Sequence, residues 1–166
     1  MAGVSSESLT AALVALEAKL PFASLQLAKE LFGILGTVDS SAGLRRALTD
    51  PSRSGDEKSA LIKQLFSGKV SADAVEIASG LAGLRWASAR DIGDALETLA
   101  ASVVIAVAEN KSAVSASGIT GLEALENDLF SFNQAVESNH EVQRAVSEPQ
   151  ASPAARNSLS RVENSA

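Results

Sequence analysis

A proline turn set between two helical patterns constrains this chain more than any other stretch. Over residues 44–70, LRRALTDPSRSGDEKSALIKQLFSGKV, Leu44, Ala47 and Leu48 form a brief apolar stripe that must end by Asp50. Pro51 has no amide hydrogen to give a helix and pushes its predecessor out of the helical region. Ser54, with Glu57 three residues on, is a capping box in which each side chain satisfies an orphan amide of the first turn. Leu61, Ile62, Leu65 and Phe66 then face a core, and Gly68 is a natural C-terminal stop.

The same pattern returns 98 positions later. Leu31-Phe32 is matched by Leu129-Phe130, Val38 by Val136, Arg46-Ala47 by Arg144-Ala145, Pro51 by Pro149 and Leu61 by Leu159. Conservative pairs lie between them: Asp39 with Glu137, Leu44 with Val142, Leu48 with Val146, Thr49 with Ser147 and Asp50 with Glu148. An offset held through a proline turn reads as an internal duplication whose second copy stops early. By analogy with Leu61, Leu65 and Phe66, positions 159, 163 and 164 should be apolar, yet they are Leu159, Glu163 and Asn164. Residues 160–166 are therefore expected to fray.

Apolar residues make up 46% of the 166, much of it alanine and leucine, which favours packed helices over sheet. No segment alternates in polarity as a half-buried strand would. The expected class is all-α. Only 4% of residues are aromatic and the net charge is −6, so neither stacking on single strands nor binding to duplex phosphates is expected, and nucleic acid is excluded as a partner. There is no cysteine, which removes disulfides and thiolate metal sites. No basic and apolar signal sequence follows Met1-Ala2-Gly3, pointing to a chain kept in the cytoplasm. The longest apolar run, residues 99–108, falls well short of the roughly 20 residues a membrane crossing needs, so no direct membrane insertion is expected.

Taken in order, a first helix should start at Ser5 with Leu9, Leu13, Leu16 and Leu20 on one face and Val4 stapling against Leu9. Pro21 ends it. A second helix, from about Phe22 to Val38, carries so wide an apolar stripe that it should be central. The short helix at 44–49 and the capped helix at 55–67 follow. Ser71 caps a fifth helix lined by Ile77, Leu81 and Leu84, whose Gly80 and Gly83 suggest close helix approach. A sixth begins near Ser88 or Ala89 and keeps Ile92, Leu96, Leu99, Val103 and Val107 in register. KSAVSASG at 111–118 reads as a linker, Thr120 with Glu123 as a second capping box, and Leu122, Leu125, Leu129, Phe132 and Val136 as one face of the helix it opens.

Chemistry finds little purchase. His140 is the only histidine, which excludes a histidine metal cluster, and it reads as a solvated turn residue between two helices. Ser67-Gly68-Lys69 lacks the first glycine of a phosphate loop, has Val70 where a hydroxyl should be, and ends a helix instead of opening one. Carboxylates are scattered over caps and polar faces with no pair in an apolar setting. Arg45, Arg46 and Arg53 near the proline turn are a solvated face or a contact for an acidic partner helix, and Trp86 is a corner plug or an interface anchor. No catalytic residue, metal or cofactor is expected. A helical module of this kind works by holding something, such as an amphipathic partner helix lying between its own helices.

The segments LAKELFGIL, LRRALTDPSRSGDEKSALIKQLFSGKVSADA and RWASARDIGDALETLA resemble the delta subunit of the F-type ATP synthase, the bacterial counterpart of the oligomycin-sensitivity-conferring protein, in its actinobacterial form. The resemblance runs from Met1 to about Leu159. It implies a six-helix bundle at residues 1–112, a linker at 113–119 and an incomplete second helical repeat at 120–166, with the sixth helix doubling as the first of the second unit. It also implies a non-catalytic stator subunit, peripheral at the cytoplasmic face of the cell membrane. Such a subunit binds N-terminal helices of the alpha subunits and joins them to the b subunit of the peripheral stalk, so that rotation is converted into ATP synthesis coupled to proton transport. In the family the first and fifth helices line the alpha-binding groove, which points here to Leu9, Leu13, Leu16, Ile77, Leu81 and Leu84. The family's C-terminal region, with its small sheet and stalk contact, has no counterpart in this sequence. The competing expectation is a free-standing helical adaptor that binds an amphipathic partner helix.

Overall fold

The computed structural model describes residues 3–112 and 121–147. Its helices are α1 (Gly3–Glu17), α2 (Leu25–Ser40), α3 (Ala42–Thr49), α4 (Gly55–Phe66), α5 (Ala72–Gly83), α6 (Asp91–Ser112), α7 (Gly121–Ser138) and α8 (His140–Ser147), with a 3-10 turn at Leu20–Phe22. Among the described residues there is no strand, only an isolated bridge between Ser67 and Val70. The class is all-α. Lys111 and Ser112, expected to open the linker, are the last residues of α6; the rest of the linker, Thr120 of the second capping box and the fraying end at 160–166 lie outside the described residues.

Serine hydroxyls open four of these helices. Ser24, Ser41, Ser54 and Ser71 accept from the amides of Leu27, Leu44, Glu57 and Ala74, and Ser54 and Glu57 complete their reciprocal box. The expected helix start at Phe22 is corrected to Leu25: Pro21 is taken up by the 3-10 turn, and Ser24 supplies the cap that the proline cannot. Gly68 closes α4 with φ +76, the left-handed geometry that suits glycine. His140, expected between two helices, is the exposed first residue of α8.

One continuous hydrophobic cluster draws on α1 through α6. Ile92, Leu96, Leu99 and Val103 of α6 are buried as their period requires, and α6 packs most extensively on α2 through Leu27, Leu31, Ile34 and Val38. The second helix is less central than its stripe suggests, since Leu25 and Phe32 stand exposed. Trp86 is buried after α5 and donates its indole N–H to the Leu81 carbonyl at 3.1 Å, which makes it the corner plug.

Polar side chains fix how the helices meet. The Ser5 hydroxyl, fully buried, accepts from Ala87 N–H at 2.9 Å and donates to Asp91 at 2.6 Å. Ser8 donates to the Arg85 carbonyl at 2.6 Å, so α1 is tied twice to the α5–α6 connection. Glu30 of α2 accepts from both the hydroxyl and the amide of Ser71, locking α2 to the start of α5. Helices α4 and α5 approach so closely at Gly55 and Gly83 that a Cβ on Gly55 would lie 2.5 Å from the Gly83 carbonyl oxygen. At Gly83 the expectation of close approach is met; Gly80 has nothing within 4 Å of where a Cβ would stand.

Helix α7 packs along α6 and against α8. Under the 98-residue offset its end at Ser138 coincides with the end of α2 at Ser40, and α8 at His140–Ser147 coincides with α3 at Ala42–Thr49.

Candidate partner-helix groove

Between α1 and α5 runs an open groove of about 230 Å³. Its α1 wall is Ala11, Ala12, Ala15 and Leu16, and its α5 wall is Ile77, Gly80, Leu81 and Leu84. The spacing follows from the helix period: Ala11, Ala15 and Lys19 stand four apart on one ridge of α1 and its continuation, as Glu76 and Gly80 do on α5. Leu16 and Leu81 form the buried floor, Ile77 and Leu84 are half-buried, and Ala11, Ala15 and Gly80 are exposed at the rim.

One end of the groove is polar. The Lys19 ammonium bridges Asp73 at 2.7 Å and Glu76 at 2.9 Å, joining the end of α1 to the first turns of α5. Hydrogen bonding to Asp73, then to Glu76, holds Lys19 protonated to higher pH than an ordinary lysine. All three groups are solvated, so this link contributes little to stability and serves to mark the groove's polar end.

Of the six residues expected at such a groove, Leu16, Ile77, Leu81 and Leu84 line it together. Leu9 and Leu13 do not: half-buried, they pack against the core cluster. The groove also takes in Ala11, Ala15, Lys19 and Glu76, which the leucine stripes do not point to, and Gly80, whose expected close approach is to an open groove. The available signal was small residues at helical spacing on α1, facing a glycine in α5. Small rim residues let another helix backbone come close, and an apolar floor gives its side chains somewhere to go.

Among the described residues no group of three or more His, Asp or Glu side chains could hold a metal, and no helix is long and apolar enough to cross a membrane.

No protein-family model matches the chain. Curated relatives do. It is 92% identical over 159 residues to the ATP synthase subunit delta of Arthrobacter sp. (strain FB24), covering 96% of this chain and 58% of the relative. The ATP synthase subunit delta of Pseudarthrobacter chlorophenolicus is 85% identical over the same shares of the two chains. That of Streptomyces coelicolor is 34% identical over 162 residues, covering 96% of this chain and 56% of the relative. The chain thus spans a little over half the length of the relatives it matches. Over the part of them that it spans, its sequence is highly similar to those of ATP synthase delta subunits.

Proposed function

We propose that the groove between α1 and α5 receives the amphipathic N-terminal helix of an ATP synthase alpha subunit, and that the chain acts as a stator element without chemistry of its own. On this reading it sits peripherally at the cytoplasmic face of the membrane. It grips the catalytic head and, with the b subunit of the peripheral stalk, resists the torque of rotation so that proton flow drives ATP synthesis. Helices α1–α6 then form the family's six-helix bundle, and α7 with α8 begins a second copy of it.

The observation that supports this best is the groove's own make-up, an apolar floor of Leu16 and Leu81 under a rim of Ala11, Ala15 and Gly80. A rim that small suits a helix, because backbones can approach closely while the visitor's leucines reach the floor. The high-identity relatives named ATP synthase subunit delta support a partner from the ATP synthase complex.

The test is a calorimetric titration with a synthetic peptide of the alpha subunit's N-terminus, run beside the variant Gly80→Leu. Open space around Gly80 lets the new side chain fill the groove without disturbing the core. Binding should weaken at least about tenfold, the equivalent of about 1.4 kcal/mol, while the melting temperature holds or rises. A peptide that binds the variant as tightly as the parent places the partner elsewhere.

A further inference from the structure

A second cavity, of about 310 Å³, lies at the opposite end of α5 from the Lys19 bridge. Pro51 and Arg53 of the proline turn, Gly55 and Lys58 of α4, and Arg85 and Trp86 after α5 are among its lining residues. Lys58 is the unusual member. It is 3% exposed, and among the described residues it forms no ion pair and donates no side-chain hydrogen bond. It also stands four residues into α4, near the positive end of the helix dipole, where a cation is disfavoured.

Asp50 is near enough for its charge to act on Lys58, but the hydrogen bonds of the nearby carboxylates go elsewhere. Asp50 accepts from the Ser52 hydroxyl at 2.6 Å and from the Ser52 amide at 2.8 Å. Glu57 is turned back onto the amide and hydroxyl of Ser54. An ammonium buried without a hydrogen-bond partner is unfavourable, and sequences seldom keep one without something to meet it. Around it, Arg53 and Arg85 add two exposed guanidinium groups, while Trp86 and Pro51 give apolar walls.

We propose that this cavity binds a carboxylate, the side chain of an acidic residue presented by a partner peptide, with Lys58 as its buried counter-ion and Arg53 and Arg85 at the rim. A planar carboxylate offers acceptors to an ammonium below and a guanidinium fork above. The chain's net charge of −6 disfavours a polyanion such as nucleic acid, and the cavity's size fits one side chain. The site is separate from the α1–α5 groove, so its test does not depend on that assignment.

Trp86 is the only tryptophan and lines the cavity, so its indole N–H, held on the Leu81 carbonyl, is a reporter at the cavity wall that needs no assignment. N-acetylglutamate α-amide, inorganic phosphate and chloride are titrated in turn while that resonance and the Lys58 side chain are followed by NMR. The glutamate derivative should give saturable shifts with half-saturation at about millimolar concentration. Lys58→Met should weaken binding about tenfold, as losing a charged hydrogen bond does, and should raise the melting temperature, since methionine keeps the buried stem without the unmet charge. Arg85→Gln, at an exposed position, keeps the test open should Lys58→Met fold poorly; it should weaken binding by a smaller factor. Shifts linear in concentration and equal for chloride overturn the site. So does binding unchanged in both variants. Saturation by phosphate alone overturns the carboxylate assignment.

Discussion

Helices α2 and α7 are written to nearly the same pattern and meet opposite fates. The buried face of α2 is Leu27, Ala28, Leu31, Ile34 and Val38; the residues 98 positions on are Leu125, Glu126, Leu129, Phe132 and Val136. Four of the five stay apolar. Yet Leu31 is 0% exposed and Leu129 is 60% exposed, with Phe132 also open and no α7 residue buried. An apolar stripe specifies that a helix has a face to cover, and the covering comes from other elements. Helix α2 has α5 and α6 across it, whereas α7 meets α6 and α8 along its edges.

The sharpest way to break this comparison is to truncate both leucines. Leu31→Ala empties a closed site and should cost about 2–5 kcal/mol. Leu129→Ala should stay within about 0.5 kcal/mol. Urea unfolding of the two variants gives both numbers, and equal losses would mean that α7 is as covered as α2.

Their beginnings differ as well, and the next effect is smaller. Ser24 caps α2 by accepting from Leu27 N–H at 3.1 Å, while the residue at the matching place is Leu122, already inside α7. Ser24→Ala should cost about 1 kcal/mol. Leu122→Ala, with no cap to lose and an exposed side chain, should fall below that in the same urea series. If the order reverses, the start of α7 is held by something the offset does not carry over.

Much of this architecture could be read from residue order, and what could not shares one cause. The Ser54–Glu57 box, the Ser71 cap, the Gly68 stop and the α6 register are local devices, so they are legible within one turn of chain. The start of α2 is not legible in the same way: proline opens many helices, and only the chain's geometry reveals that Pro21 belongs to a 3-10 turn. The burial of Ser5 and Ser8 depends on the loop near Ala87 and Asp91, more than seventy residues away. Lys58 reads as an ordinary surface lysine until Gly55 and Gly83 bring α4 and α5 together beside it. In the groove, leucines announce themselves as core, while Ala11, Ala15 and Gly80 carry meaning only once they face each other across two helices.

Charge gives the smallest contrast between the two copies. Glu30 of α2 is held below its ordinary pKa of 4.5, first by the Ser71 hydroxyl, then by Gln26. A carboxylate whose folded pKa is depressed stabilises the fold at pH above its unfolded value, and that contribution is lost as pH falls through the folded pKa. Its counterpart Asp128 is exposed. Glu30→Gln should therefore lower stability at pH 7 by a few tenths of a kcal/mol, given solvent screening, and the gap from the parent should close in acid, below the ordinary carboxylate range. Asp128→Asn, at an exposed position, should change stability at pH 7 by less. Urea midpoints at pH 7 and in acid decide it: a Glu30→Gln deficit that persists in acid would mean that the carboxylate's charge is not what fastens α2 to α5, leaving packing alone to separate the covered copy from the open one.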